Sequence, residues 1–449
     1  MALRGQYMLR ALQSRNYRLF FAGQSVSLIG TLMQHVAMSW LVYRLTGSAL
    51  MLGVTGFVSQ IPTFLLAPVA GVLADRWDRR RIIICTQCLS LVQATVLALF
   101  VLTDRIEVWE LVLFSLFLGL INSFDWPVRQ AYVMDLVERM EDLGSAIALN
   151  STMYNAARLI GPSIAGVMVA CVGEAYCFVI NAASFLAVIL AVAAMRTVPV
   201  ARPRTRRELG AELREGFRYA FGFAPIRSIL MLLGLVGLMG MPYAVLLPIF
   251  AKEIFHGGAQ TFGFLMSAVG IGSLLCTFYM ASRRTVLGLG RIIAGAAALF
   301  GVGLAGFALS SSLPLSLIFL CLAGAGAMAH SAASNTILQT IVEDDKRGRV
   351  MSLYTMLYSG TTPIGNLMAG AVAGTVGSQA TLLIGGIACL GGGLLFALRL
   401  PLLRAGIRPI YRRMGIIPAP SPIPETARMV PSGLAVLSCP DNDQSAVNE

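Results

Sequence analysis

Asp125, Arg158 and His35 are ionisable side chains set within or at the ends of long apolar runs, and each is a candidate for handling a proton or a substrate. A charge at membrane depth costs on the order of a few kcal/mol unless it faces protein or water. Around these residues the polar groups fall on helix faces. Gln24, Ser27, Thr31, Gln34 and His35 recur at helical spacing, as do Ser151, Tyr154, Asn155 and Arg158, which run into Gly161-Pro162. Asn122 and Asp125 close the preceding run, and His330, Asn335, Tyr358, Thr362 and Asn366 occupy comparable places later in the chain. Such stripes avoid lipid. They suit a watery cavity, with a helix–helix seam as the alternative. Thr31, Gln34, Asn122, Tyr154, Asn155, Tyr358, Thr362 and Asn366 are therefore expected to line a substrate cavity. Arg158 stays charged and must find an anion, a cluster of carbonyls or water, which points to binding or gating. His35 suits proton exchange because imidazole has a reference pKa of about 6.5. Asp125 is the second coupling candidate, with a capping or interface role equally open to it.

Several chemistries are excluded or disfavoured. The lysines are Lys252, followed by Glu253, and Lys346, followed by Arg347, so no phosphate-binding Gly-Lys-Ser/Thr loop exists. His35, His256 and His330 lie far apart, and none has a ligand partner at helical spacing; neither metal nor cofactor is expected. Cys85 and Cys88 have CxxC spacing but no second pair, and are read as packing. Cys171 and Cys177 flank a turn, where a disulfide is the disfavoured alternative to free thiols. Asp125 with His35 is a weak acid–base pair for an intramembrane hydrolase, and no enzyme is expected.

The elements carrying these residues follow from composition. The 449 residues are 57% hydrophobic and 12% charged, with a mean hydropathy of +0.75. A soluble chain carries about 25% charged residues, and a membrane-crossing helix needs about 20 apolar ones. Twelve runs meet that need: Leu19–Tyr43, Ala49–Ala74, Ile82–Thr103, Val108–Trp126, Gly144–Ala170, Tyr176–Met195, Ile226–Ala251, Thr261–Ala281, Leu289–Leu309, Leu315–Gln339, Val350–Val376 and Thr381–Leu398. The chain reads as an all-α polytopic membrane protein. Nearly all of its 34 Lys+Arg fall on one side of these runs, and only Arg44, Arg105 and Lys252 fall in loops on the other. The positive-inside rule then places both termini in the cytoplasm and makes the net charge of +12 a topology signal, with no part for nucleic acid.

A constant offset aligns Tyr154 with Tyr358, Ile160 with Ile364, Gly161 with Gly365, Ala165 with Ala369 and Gly166 with Gly370, which suggests a duplicated six-span unit. The expected organisation is a cytoplasmic amino end (1–18), a first bundle (19–195), a linker (196–225), a second bundle (226–399) and a largely disordered tail (400–449). In the linker Leu209, Leu213, Phe217 and Phe221 alternate with arginines, the pattern of a basic amphipathic helix at the membrane surface.

The turn after the second span reads Gly71-Val-Leu-Ala-Asp75-Arg76-Trp-Asp78-Arg79-Arg80-Arg81-Ile82. It resembles the signature between helices two and three of the major facilitator superfamily, departing from it at Asp78 where the pattern has Gly. The resemblance implies that Asp75 sits against the amino end of helix eleven, where the helix dipole favours negative charge. It also implies that arginines such as Arg76, Arg79 and Arg80 pair with acids of neighbouring helices to hold the inner side shut. Trp126-Pro127-Val-Arg129-Gln130-Ala131, Ala157-Arg158-Leu-Ile-Gly161-Pro162-Ser-Ile-Ala-Gly166 and Arg347-Gly348-Arg349-Val350 are similar to the branch holding macrolide-efflux proteins and the enterobactin exporter. Gly161, Pro162 and Gly166 resemble the antiporter motif of helix five, whose glycines admit close approach to helix eight.

The resemblance implies two pseudo-symmetric six-helix bundles in a bacterial-type inner membrane. It implies a monomeric, proton-linked exporter of a small amphiphilic drug, siderophore or similar metabolite. Import or lysolipid flipping on the same fold is the alternative within transport, and a membrane-embedded enzyme or scaffold the alternative outside it. The scarcity of deep carboxylates favours a neutral or anionic amphiphile over a strongly cationic one.

Overall fold

A lipid-facing backbone must satisfy its own hydrogen bonds, and the chain does so with helices throughout. The computed structural model describes residues 10–137, 139–195, 217–283 and 285–417, the side chains of 67–76, 140, 344 and 345 apart. The first half holds α1 (Arg15–Thr46), α2 (Ala49–Arg76), α3 (Arg79–Leu102), α4 (Val108–Leu136), α5 (Leu143–Val172) and α6 (Glu174–Ala193). The second holds α7 (Ala224–Ile254), α8 (Ala259–Ser282), α9 (Leu289–Leu309), α10 (Leu313–Ile341), α11 (Asp344–Val376) and α12 (Ser378–Arg413). Eleven helices among the described residues are long and apolar enough to cross a membrane by themselves. The exception is α11, which opens on Asp344, Asp345, Lys346, Arg347 and Arg349 and carries Ser, Thr, Tyr and Asn along its length. Of its polar residues Tyr354 and Asn366 are buried against protein, while Ser352, Thr355 and Ser359 are exposed.

The duplication is written into the backbone. Gly173 and Gly377 hold the α5–α6 and α11–α12 turns at φ of 92° and 89°, a region that side-chain-bearing residues avoid. Gly161 packs against α1, where an added Cβ would stand 2.8 Å from Leu32 Cβ, and its counterpart Gly365 packs against α7 at Leu238 and Pro242. Gly166 meets Gly263 of α8, and Gly370 meets Gly53 of α2. Each aligned glycine thus does the same job in its own half. Within α7 the ladder relaxes to wider π turns at Val236–Gly240 and Phe250–Ile254, flanking the helix-breaking Pro242 and Pro248.

Two seams join the halves: α2 on α11 and α5 on α8. Their described contacts run from the side opposite the chain ends to the midplane. They include Gly53 against Asn366 and Gly370, Phe64 against Gly360, and a Ser163–Ser267 hydroxyl pair at 2.7 Å. A Cβ on Gly263 would stand 2.6 Å from the Pro162 carbonyl oxygen and 2.8 Å from the Gly166 Cα. Gly263→Val is accordingly expected to cost about 1–3 kcal/mol in detergent unfolding by overpacking. An unchanged unfolding midpoint would mean that the seam has slack.

The ends depart from the sequence expectations. The amino end is docked by Arg10 to Asp142 at 3.6 Å and by the Tyr17 hydroxyl donating to the Ala146 carbonyl at 2.9 Å, and α1 starts ahead of Leu19. The tail expected to be largely disordered from 400 instead continues α12 to Arg413 through Pro401 and Pro409, with Gly406 against Pro225. Residues 418–449 lie outside the described ones, as do Leu209 and Leu213 of the linker; Phe217 and Phe221 stack at 4.2 Å.

Candidate functional site

Where α1 and α5 face α7 and α11, the first polar face resolves into two layers. Gln34 is 1% exposed and belongs to an amide network inside the first half. It donates to Gln93 of α3 at 3.1 Å and accepts from Asn181 of α6 at 2.7 Å. His35, one residue on, is exposed. It lines a cavity of about 60 Å³ with Ser39, Thr55, Ser59 and Ser115, and Val245 of α7 closes it. That volume holds water, whereas a drug-sized ligand needs about 300 Å³ or more. Tyr154, Arg158 and Tyr358 lie further toward the side bearing the chain ends.

On that side α4 packs on α2 and α3 and forms no seam with the second half. Trp126, 47% exposed, meets Tyr154 edge-on with ring centroids 5.8 Å apart. Arg158, half-buried one turn further along α5, stands 6.0 Å from the centre of the Tyr154 ring. The ionisable groups near enough to act on it are Tyr154 of its own helix, Tyr243 of α7 and Tyr358 of α11. Tyr358 stacks on Tyr354 at 6.0 Å, and the Tyr354 hydroxyl is 2.8 Å from Ser331 Oγ of α10. One phenol of each aromatic pair, Tyr154 and Tyr358, is thus among the ionisable neighbours of Arg158.

The expected site residues separate accordingly. Tyr154, Arg158 and Tyr358 come together. Thr31, Asn122 and Thr362 are half-buried within their spans. Gln34 borders the small cavity as well as the amide network, whereas Asn155, 4% exposed, donates to the Ser151 carbonyl at 2.9 Å, and Asn366, 2% exposed, fills the α2–α11 seam beside Gly56. An amide is short enough to satisfy itself within a packed seam, which is why helical spacing alone could not separate these from cavity residues. His330 is fully buried beside Ile293 of α9. Tyr243 and Tyr354 were missed; the signal for Tyr354 was its spacing of one turn from Tyr358.

Asp125 is sealed between α3 and α4. Its Oδ1 accepts from the Thr86 hydroxyl at 2.7 Å and from Gln87 Nε2 at 3.0 Å, while Oδ2 pairs with Arg129 one turn on. At the signature turn, Asp78 caps α3 by accepting from the Arg80 backbone N–H at 2.9 Å, a role for which the family's Gly has no side chain. Arg79 bridges to Asp135 at 3.1 Å and donates to the Ala131 carbonyl at 2.8 Å; Arg80 donates to the Ala193 carbonyl at 2.9 Å, at the end of α6. The side chains of Gly71-to-Arg76, Asp75 included, lie outside the described residues. The cysteines described, Cys171 and Cys177 among them, are free thiols, and no cluster of metal-binding side chains occurs among the described residues.

On the opposite side the halves are tied by a hydrogen bond from the Tyr43 hydroxyl at the end of α1 to Glu253 at the end of α7. Lys252 Nζ stands 5.5 Å from the centre of the Tyr43 ring, and Arg44 bridges to Glu174 at 2.8 Å beside it.

Residues 8–410 match the family described as transmembrane secretion effector. The chain is 25% identical over 378 residues to the staphyloferrin A transporter of Staphylococcus aureus, covering 83% of this chain and 93% of that one. It is 25% identical over 392 residues to the multidrug efflux pump Tap of Mycolicibacterium fortuitum, covering 84% and 90%. A bacterial homologue of the iron transporter ferroportin, solved in an inward-facing state, superposes with a TM-score of 0.66 at 18% identity over 85% of this chain and 98% of that one, which shows a shared fold. With two duplicated six-helix halves enclosing a central site, the chain belongs to the transmembrane secretion effector family of the major facilitator superfamily: it is a multi-pass bacterial membrane transporter and not an enzyme.

Proposed function

We propose that the protein is a proton-coupled exporter of a small amphiphilic compound (a drug, a siderophore or a similar metabolite) across the bacterial inner membrane. The halves 19–195 and 226–399 rock about the central site to give alternating access, in a monomer with both termini cytoplasmic. The observation that carries this reading is the pair of aromatic contacts Trp126–Tyr154 and Tyr354–Tyr358, one in each half on the side bearing the chain ends, set against glycine-packed seams and the Tyr43–Glu253 tie on the other. The basic loops favour the cytoplasm for the side bearing the chain ends, which suits loading from within. Of the relatives named above, the one described as a multidrug efflux pump supports the same direction.

Among the coupling candidates, His35 carries the proton because it opens onto the small cavity, whereas both Asp125 oxygens are already engaged. Proteoliposomes loaded with toxic amphiphiles and siderophores, one at a time, provide the test. An imposed proton gradient is expected to accelerate export, and His35→Gln to lower the accelerated rate by roughly a hundredfold, the low end of what a single proton-transfer residue contributes. A gradient that alters neither rate nor direction for any exported compound would end the coupling reading.

A further inference from the structure

Resting on the transport reading above, we propose that Arg158 is the recognition point for one anionic group on the transported compound, whose class is an organic monoanion: a carboxylate on an apolar or aromatic body. Among the described residues the Arg158 guanidinium has neither an ion pair nor a hydrogen bond, only the Tyr154 ring at 6.0 Å. Asp125, on the preceding helix, is spent on Arg129, Thr86 and Gln87. The ionisable neighbours of Arg158 are phenols, and no carboxylate is among them.

A guanidinium left in this position keeps its charge, so in the empty cavity it is compensated by water or a mobile anion. A ligand carboxylate replaces these with two parallel N–H···O bonds, while the face of Tyr154 covers the cation from one side. Tyr243 and Tyr358 reach the same place from the second half, and a phenol can donate to an anion but cannot neutralise a cation. A single fixed positive charge matches a single negative one. Trp126, Tyr154, Tyr354 and Tyr358 supply flat walls for the rest of the molecule.

Because phenols of α7 and α11 neighbour Arg158 as well as one of its own half, a monoanion held there also links the two bodies that must move. An uncharged analogue has the walls but not the link.

The test uses the full chain in nanodiscs of zwitterionic lipid and three pyrene probes of one shape: 1-pyrenebutyrate, its neutral amide and 1-pyrenebutylamine. Binding is followed by equilibrium dialysis against empty nanodiscs. The carboxylate is expected to bind about tenfold or more tightly than the amide, and the amine more weakly than either. Arg158→Gln is expected to bring carboxylate and amide within twofold of each other, and Arg158→Lys to keep part of the preference. Unfolding midpoints of both variants show whether each is folded; if Arg158→Gln is not, Arg158→Lys and the wild-type probe series still decide. Equal binding of carboxylate and amide by the wild type, or an undiminished preference in folded Arg158→Gln, would overturn the assignment.

The same probes in proteoliposomes separate this inference from the transport reading. Export of amide and carboxylate at equal rates keeps the transporter and discards the anion site. Arg158-dependent carboxylate binding with no movement of any probe keeps the site and discards the exporter.

Discussion

Asp125→Ala is expected to destabilise the protein by about 3–5 kcal/mol, the cost of leaving a buried charge without its partner. The Asp125 and Arg129 side chains are 6% and 16% exposed, and the carboxylate also accepts from Thr86 and Gln87. Removing it strands Arg129 against the α3–α4 seam with two orphaned donors. Replacing Arg129 by Met in the same chain is expected to restore most of the loss, because an apolar pair of similar volume needs no partner. Thermal unfolding in detergent reads both. A folded Asp125→Ala protein with an unchanged midpoint and a lost response to the proton gradient would return Asp125 to the coupling site.

Tyr43→Phe and Glu253→Gln carry the second large effect, on conformation rather than stability. Their hydrogen bond joins the far ends of α1 and α7 across the two halves. Hydrogen bonds to charged groups are worth about 1.5–3 kcal/mol, and each 1.4 kcal/mol is about a tenfold change in population. Opening on that side should therefore rise by roughly tenfold to a hundredfold. A cysteine at Ser59, which lines the small cavity, reports it by its labelling rate with an impermeant thiol reagent, once the exposed Cys171 has been replaced. No rate increase in either variant would show that the glycine seams alone keep this side closed. Tyr43→Phe leaves Glu253, Lys252 and Arg44 in place, so a rise in that variant belongs to the lost bond rather than to a changed loop charge.

The sequence was most informative where a residue type had one physical solution. Gly161, Gly166, Gly365 and Gly370 were legible as a repeat because only glycine admits another backbone at these distances, and the structure sets each against its counterpart helix. The spans were legible because lipid tolerates no unsatisfied backbone. Polar residues on one helix face were ambiguous by nature: spacing tells which face they share, not what covers it. Gln34 and His35 are adjacent and both border the small cavity, yet only Gln34 is spent on an amide network.

Composition, run length and the one-sided basic loops were enough by themselves to determine an even number of crossings in two matched sets, since burial in a bilayer is decided locally, run by run. Tertiary structure alone decided which polar groups are spent on one another. Asp125 is consumed by α3, Asn366 by α2, and Arg158 has no charged partner among the described residues, because partners contributed by other helices are set by packing.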